Sequence, residues 1–528
     1  MDPELLGSEK PGAILDYVKE SNQKEKPENK ETNIKEIKKK IFNTDIFADR
    51  YKSGVNIARN DINKDEWDIT ITYDNEFFQK FYKDIILSMP SNVQKWLEKM
   101  YTEGKGIYIG SITSIEAKDK NEFYIKLGNN QKVIYNKEMI EKDKNRDIIE
   151  IMDFFSKAKF IRLWLILQQN SKNKEIYIKD YEDLSKTNKF KEKIREYKDQ
   201  YELTWYEFLL CSMGYNPFDL SNEERKIMDK LYVPRVLSLF PVWLPTADSL
   251  YNPYTHLLQL TLPSTGKTKF FLLLQAYLNI GYIQGVPSRS RTVYNAEKDA
   301  LGEIFFSEYI ILDEIDKAES EEFIDFMKTM SEGLDSGRWS AEKGNAERIR
   351  EVMRGRRLPR GFIFLGNLGE EYANEVEQIK GASDIYKYDN ARIAAKMLLK
   401  EKAKGSSKYI NAIDALISRV GIVSVVPEHF NVNNIKANRM LNPMAMHELI
   451  SILQEEIDRI ANNFDKYIDV EKIKQLGQFD DARLEENAKK IAVKIKAFEI
   501  DKYLGKPAEE LAVEIVNGTW EWPKNNER

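Results

Sequence analysis

Cysteine is almost absent from this chain of 528 residues: Cys211 is the only one. A single thiol can build neither a disulfide framework nor a cysteine-based zinc site. Its place in the apolar run Phe208-Leu209-Leu210-Cys211 reads as that of a small buried hydrophobe. Histidine is nearly as scarce. His256, His429 and His447 are scattered along the chain, so each reads as structural and no metal site is expected from them. Long apolar runs are missing too. The stretch Ile161-Arg162-Leu163-Trp164-Leu165-Ile166-Leu167 falls far short of the roughly 18 to 20 residues that span a bilayer. The acidic, polar N-terminus is unlike a secretory signal. A soluble cytoplasmic protein without disulfides or membrane association is the expectation. The net charge of -5 is small for this length, which argues against a uniformly basic surface but permits a local basic loop.

What is present supports real cores. Hydrophobic residues make up 42% of the chain and charged ones 32%, too long a chain for one core, so two to four domains are expected. Residues 1–45 are rich in Lys, Glu and Asn and read as a charged flexible leader. Residues 46–200 read as an accessory α+β domain that recognises substrate. Its short alternating runs include Trp67 to Tyr73, Gly106 to Ile112, Phe123 to Leu127 and Lys132 to Tyr135, with charged helices expected over 150–200. Residues 201–430 alternate strand and helix patterns, the mark of a parallel α/β sheet. Residues 431–528 show helical periodicity only, as in Leu449, Ile450, Leu453 and Ile457, and read as a helical lid and tail.

Chemistry concentrates in the third segment. Thr261-Leu262-Pro263-Ser264-Thr265-Gly266-Lys267-Thr268 lies between an apolar strand and an apolar helix, the context a phosphate-binding loop requires. In the loop Pro263 to Thr268 the consecutive backbone N–H groups after Pro263 would wrap phosphates at a helix N-terminus. Lys267 would bridge the β- and γ-phosphates of ATP, and the Thr268 hydroxyl would ligate Mg²⁺. Thr261 and Ser264 stand where glycines are usual. About 45 residues on, the apolar strand Tyr309-Ile310-Ile311-Leu312 ends in Asp313 and Glu314. Asp313 would hold Mg²⁺ and Glu314 would polarise the attacking water as general base. The pair of motifs points to ATP hydrolysis.

Two further segments resemble AAA+ proteins. Gly361-Phe362-Ile363-Phe364-Leu365-Gly366-Asn367 resembles the strand whose terminal polar residue, here Asn367, orients the lytic water. Asp414-Ala415-Leu416-Ile417-Ser418-Arg419-Val420 resembles the segment that offers an arginine finger, here Arg419, to a neighbouring subunit's ATP. The resemblance implies an α/β fold: an AAA+ P-loop NTPase core of parallel sheet with flanking helices, carrying the helical lid and the N-terminal α+β domain.

Residues ~203–430 resemble something narrower, the ATPase core of the Lon-related AAA+ protein of bacteriophage-exclusion (BREX) defence systems, and more distantly the minichromosome maintenance helicases. The likeness rests on Thr204 to Gly214, Tyr232-Val233-Pro234-Arg235, the phosphate loop, Leu301 to Phe305, Met330 to Arg338, and Ala415 to Arg419. It implies a homo-hexameric ring with DNA in its channel. The matching channel hairpin, Trp339 to Pro359, offers Lys343, Arg348, Arg350, Arg354, Arg356 and Arg357 as DNA contacts, with Arg360 just beyond. Asp480 to Glu485 resembles the lid-helix start of the helicase group, so Arg483 would touch the γ-phosphate; Arg439 is a competing candidate. The chain departs from the defence proteins in its all-helical C-terminal pattern, in which no Ser–Lys protease pair is evident, and in an insertion expected over ~370–410.

The function implied is ATP-driven DNA translocation or unwinding, in plasmid or viral replication or in phage defence. The rival is a protein-remodelling unfoldase without its own protease, for which Tyr282-Ile283-Gln284-Gly285-Val286 is a weak gripping-loop candidate that reads more naturally as a strand. A nucleotide-switched scaffold is a third reading, suggested by the altered phosphate loop.

Overall fold

The computed structural model describes residues 34–49 and most of 104–521. Outside the description lie 1–33, 50–103, 184–189, 246–250, 288–291, 296–299, 340–356, 370–389, 402–406 and 522–528, with short gaps at 111, 120, 128–131, 159–160, 171–172, 276, 279, 306 and 318.

The first described segment belongs to the stretch read as a leader, yet its last dozen residues are packed. Ile41 and Ile46 are fully buried. Strand β1 (Phe47–Asp49) pairs antiparallel with a strand almost 400 residues later, Arg439–Leu441. Residues 104–183 then form a six-stranded sheet from β2 (Lys105–Gly110), β3 (Ile112–Ala117), β4 (Glu122–Leu127), β5 (Lys132–Asn136), β6 (Ile161–Asn170) and β7 (Asn173–Asp183), in the order β2-β6-β7-β5-β4-β3. Strands β3 to β5 form an antiparallel meander, whereas β2, from the run Gly106 to Ile112, pairs with β6. Helix α1 (Ile148–Lys157), capped by Asp147, packs below β3.

Strands β6 and β7 correct the helical reading of 150–200. They form a long antiparallel hairpin with register Ile161↔Asp183 through Asn170↔Asn173. The physical reason is period. Ile161, Leu163 and Leu165 are buried on alternate positions, as are Ile176 and Ile178, and the β-branched and aromatic residues between them suit a pleated surface. Charge density, which suggested a helix, is carried on the outward face. Only α2 (Lys191–Gln200) fulfils the helical expectation there beside α1. The strand expected over 67–73 lies outside the described residues.

Two short helices lead to the core. Helix α3 (Trp205–Ser212) opens on a capping box, Thr204 with Glu207, and α4 (Asn222–Ser238) on another, Ser221 with Glu224. The core sheet is wholly parallel: β8 (Leu257–Thr261), β9 (Ile280–Gln284), β12 (Tyr309–Asp313), β13 (Gly361–Asn367) and β14 (Ile422–Val426), in the order β14-β8-β13-β12-β9. A small ribbon, β10 (Tyr294–Asn295) with β11 (Ala300–Leu301), lies between β9 and β12 in sequence. Burial on both faces explains the continuous apolar character of these strands, β12 being buried at all five positions. The helices are α5 (Lys267–Leu274), α6 (Ser320–Ser336), α7 (Ala391–Glu401) and α8 (Ser407–Arg419). Tyr282 and Gln284 are therefore residues of a core strand.

Strand β15 (Arg439–Leu441) closes the pairing with β1. Every described element after it is helical: α9 (Pro443–Asn462), α10 (Val470–Gly477), α11 (Ala482–Ala497), α12 (Ala508–Asn517) and the turns Phe464–Tyr467 and Ile500–Leu504. Helix α11 is stitched to the core by two buried lysines. Lys490 Nζ donates to the Asn252 carbonyl at 2.8 Å, and Lys494 Nζ to the Leu237 carbonyl at 2.8 Å. Burial lowers both: Lys490 to about 8 and Lys494 well below the usual lysine range. Among the described residues no helix is long and apolar enough to cross a membrane.

Candidate nucleotide site

Strand β8 is the switch point of the sheet. The chain leaves it toward β9 on one side and returns as β14 on the other, and in such sheets the crevice beyond the strands' C-terminal ends receives ligands. The loop after β8 carries the predicted phosphate-binding residues Pro263 to Thr268. Gly266 has φ 69° and stands at the N-cap of α5; a Cβ there would meet Val432 Cγ2 at 2.9 Å. Ser264 is also left-handed, at φ 68°, a conformation glycine adopts freely and a serine does not. Thr261 is fully buried, and its hydroxyl sits 2.8 Å from that of Thr265. The two departures from glycine are thus unlike: Thr261 braces the loop, whereas Ser264 strains it.

The predicted residues converge. Parallel register sets Asn367 beside Thr261 and Gln284 beside Asp313. Lys267, itself buried, donates from Nζ to Asn367 Oδ1. Burial lowers its pKa, against the pull of Asp313 and Asp316, which favour the charge. Thr268 Oγ1 donates to Asp313 Oδ2 at 2.6 Å. Hard oxygen donors at that spacing suit Mg²⁺, which takes one or two protein ligands and the rest from phosphate and water. Asp316 Oδ1 accepts from the Asn367 N–H at 2.9 Å and fixes the strand end.

Glu314 has φ 58°, which turns its carboxylate out of the strand. Lys317 Nζ at 2.6 Å and Gln284 Nε2 at 2.8 Å hold that carboxylate, and both contacts keep its pKa below the usual range, Lys317 first. A cleft of about 630 Å³ lined by Tyr282, Gln284, Gly285, Val286, Glu314, Lys317 and Glu322 opens on this side. Tyr282 reaches Asp313 Oδ2 from its hydroxyl at 3.1 Å. In the sequence Tyr282 and Gln284 stood only in the gripping-loop candidate and Lys317 had no role; strand register sets the first two beside Asp313, and the turn after β12 brings in Lys317.

Arg235 was missed as well. It is fully buried in α4, its guanidinium 4.7 Å from the Tyr232 ring. Its Nε donates to Gln259 Oε1 at 2.8 Å and Nη1 to the Thr265 carbonyl at 3.3 Å, so it props the phosphate loop from beneath. The signal was a lone arginine in the apolar run Leu231 to Leu237.

Arg419 and Arg483 lie elsewhere, and together. Arg419 ends α8 just before β14, and Arg483 opens α11. Both reach Asp335 in the last turn of α6: Arg419 Nε at 3.1 Å and Arg483 Nη1 at 3.2 Å. This cluster borders the N-terminal ends of the core strands, where the Ile422 N–H donates to the His256 carbonyl at 3.0 Å. Five residues of parallel strand, about 16 Å at about 3.3 Å each, separate it from the phosphate loop. The structure does not bring Arg483 to Lys267 of the same chain. Arg439, the competing candidate, donates to the carbonyls of Phe42 and Phe47 and ties the N-terminal segment down.

The basic hairpin residues Lys343, Arg348, Arg350, Arg354 and Arg356 lie outside the described residues. Arg357, also read as a DNA contact, is described and half-buried. Its Nε donates to the Ser336 carbonyl at 2.7 Å and Nη2 to the Tyr251 carbonyl at 2.9 Å. Arg360 is buried and donates to the Ile304 carbonyl at 2.7 Å. Both are structural anchors.

Residues 176–385 match the family model described as Lon-like protease BrxL-like, ATPase domain. The match takes in Lys267, Thr268, Asp313, Glu314 and Asn367 and stops short of Arg419 and Arg483. It bears on the first resemblance drawn from the sequence and does not extend to the minichromosome maintenance helicases. Similar proteins include the uncharacterized protein ORF425 of Acidianus filamentous virus 2, 26% identical over 205 residues, which are 39% of this chain and 43% of that protein. The uncharacterized protein 440 of Sulfolobus islandicus rod-shaped virus 1 is 24% identical over 329 residues, 61% of this chain and 64% of that protein. The uncharacterized protein ORF426 of Acidianus filamentous virus 1 is 25% identical over 269 residues, 50% of this chain and 57% of that protein. The similarity thus spans roughly half the length of these relatives.

Proposed function

Residues 176–385 form a BrxL-like ATPase domain, and from that premise we propose that the chain is a ring-forming AAA+ motor that couples ATP hydrolysis to movement along DNA. One observation carries the ring: Lys267, Thr268, Asp313, Glu314 and Asn367 sit at one end of the sheet, and Arg419 with Arg483 at the other. An arginine that serves a phosphate must then serve a neighbour's. Head-to-tail contact of unlike ends is the heterologous kind that closes into rings, here a homo-hexamer.

At each interface the roles divide as follows. Lys267 leaves Asn367 for the β- and γ-phosphates, and the loop N–H groups at the start of α5 take the remaining oxygens. Thr268 and Asp313 would hold Mg²⁺, which would supply charge neutralisation at those oxygens. Glu314, ionised at neutral pH, orients and polarises the attacking water, and Asn367 fixes that water from the adjacent strand. The neighbour's Arg419 stabilises charge on the transferring group, with Arg483 beside it.

The DNA part rests on the sequence between 343 and 356 and on the family resemblance. The viral source of the relatives favours a genome-handling role over defence. The unfoldase reading has lost its gripping-loop candidate to strand β9. ATP turnover measured at low salt with single-stranded DNA, duplex DNA, RNA and unfolded protein tests the proposal. Stimulation by DNA supports it; stimulation by unfolded protein alone, or DNA that neither binds nor stimulates, sinks it.

A further inference from the structure

Asp335 has no part in the steps above, yet it joins the two arginines. It lies in the final turn of α6, whose end is fixed twice. Its own carbonyl accepts from the Asn252 N–H at 2.8 Å, and Gly337, at φ 71°, caps the helix with a bond to the Gly333 carbonyl at 2.8 Å. The carboxylate accepts from Arg419 Nε at 3.1 Å and from Arg483 Nη1 at 3.2 and 3.3 Å. Each arginine is also held from its own side. Arg419 donates to the carbonyls of Ser331 at 3.2 Å and Ala415 at 2.9 Å, and Arg483 Nε donates to Asp481 at 3.0 Å.

Three elements distant in sequence, α6, α8 and α11, therefore meet at one carboxylate. The side chains keep exposures of 26% for Asp335, 19% for Arg419 and 32% for Arg483. They are ordered, but open to an incoming anion. Ion pairs at such exposure are weak and exchange partners readily. A phosphate offers guanidinium groups the same acceptor geometry as a carboxylate, with more charge. Two guanidiniums this close repel each other unless an anion lies between them.

We propose that Asp335 is a shared counter-ion that holds Arg419 and Arg483 side by side and yields them together to the phosphates of a neighbouring subunit's nucleotide. This rests on the reading that Arg419 acts across a subunit interface. Asp335 is a positioning residue; it never touches the nucleotide. Its loss loosens the pair, because Arg483 keeps its hydrogen bonds to Asp481 while Arg419 keeps direct hydrogen bonds only to carbonyls, with the Asp481 charge nearby.

The test uses the full chain with Asp335→Asn, Asp335→Glu, Arg419→Ala and Lys267→Ala, singly and co-expressed in pairs. Asp335→Asn is expected to bind a fluorescent ATP analogue within about threefold of the parent and to turn ATP over about tenfold more slowly or worse, a kcat effect without a binding effect. Asp335→Glu, which keeps the charge, retains most turnover. Co-expression of Asp335→Asn with Lys267→Ala, whose arginine-bearing end is intact, restores turnover above the sum of the two parents. The pair Arg419→Ala with Lys267→Ala reports on the underlying reading. If that pair recovers while Asp335→Asn turns over at the parent rate, or gains nothing from Lys267→Ala, the counter-ion proposal is overturned alone. Equal loss in Asp335→Asn and Asp335→Glu overturns it as well. If the Arg419→Ala pair shows no recovery, the interface reading itself falls.

Discussion

The same five strands end in two chemically opposite surfaces. At their C-terminal ends Asp313, Glu314 and Asp316 surround a single buried lysine, Lys267. At their N-terminal ends Arg419, Arg483, Lys490 and Lys494 gather around Asp335, Asp481 and Glu486. At one end carboxylates predominate around Lys267 and Lys317, and at the other arginines and lysines predominate. On the proposed reading, the contrast makes each end a half-site, so that the chemistry would depend on contact between copies.

The largest effect should come from the acidic end. Glu314→Gln removes the polarising carboxylate while keeping the shape and an acceptor oxygen for one of its two donors, so turnover should fall on the order of 10²- to 10⁴-fold with ATP still bound. Lys267→Ala should abolish turnover and weaken binding together. Steady-state hydrolysis and nucleotide titration of both variants separate the two outcomes. Glu314→Gln at parent rate would break the assignment of this end.

The basic end should reveal itself through pH. His256 is buried there, accepting at Nδ1 from the Phe362 N–H at 3.2 Å and bonded through Nε2 to the Leu334 carbonyl at 2.9 Å. Those partners require the neutral ring, and burial pulls its pKa from 6.5 to about 4. The unfolded chain therefore binds the extra proton between pH 6.5 and 4, and stability is lost as pH falls through that window, by about 3 kcal/mol from this ring. Denaturant titrations of the parent and His256→Gln at pH 7 and pH 4.5 measure it; the variant should show the shallower decline.

Arg357 sharpens the account of the basic hairpin. Its two part-buried carbonyl contacts predict that Arg357→Ala destabilises the fold by about 1 kcal/mol. The salt dependence of DNA binding should be unchanged, which thermal melts and binding across a salt series would check. The smallest effect belongs to Ser264. Ser264→Gly relieves a left-handed serine, a gain of about 1 kcal/mol at most. A modest rise in melting temperature with ATP turnover equal to or faster than the parent's is expected.

Most of the acidic end was legible in the sequence because Asp313, Glu314 and Asn367 end or directly follow apolar strands, and Lys267 and Thr268 follow one across a short loop, a local pattern. Asp335 had been noticed only as part of Met330 to Arg338, with no role, since nothing local links it to residues 84 and 148 positions away. The same holds for Arg235, whose partners Gln259 and Thr265 are reached only through packing. The hairpin of β6 and β7 was missed because its alternation is masked by charge on the outer face. The carbonyl contacts of Arg357 and Arg360 were not legible, because a basic residue looks alike in sequence whether it meets phosphates or backbone carbonyls.

Co-expression of Arg419→Ala with Lys267→Ala tests the division into half-sites most directly. Each variant alone should be nearly inactive. Mixed assemblies join the intact Lys267 end of one to the intact Arg419 end of the other, so the account predicts ATP turnover well above the sum of the separate variants. Turnover no greater than that sum, in assemblies shown to contain both chains, would contradict it.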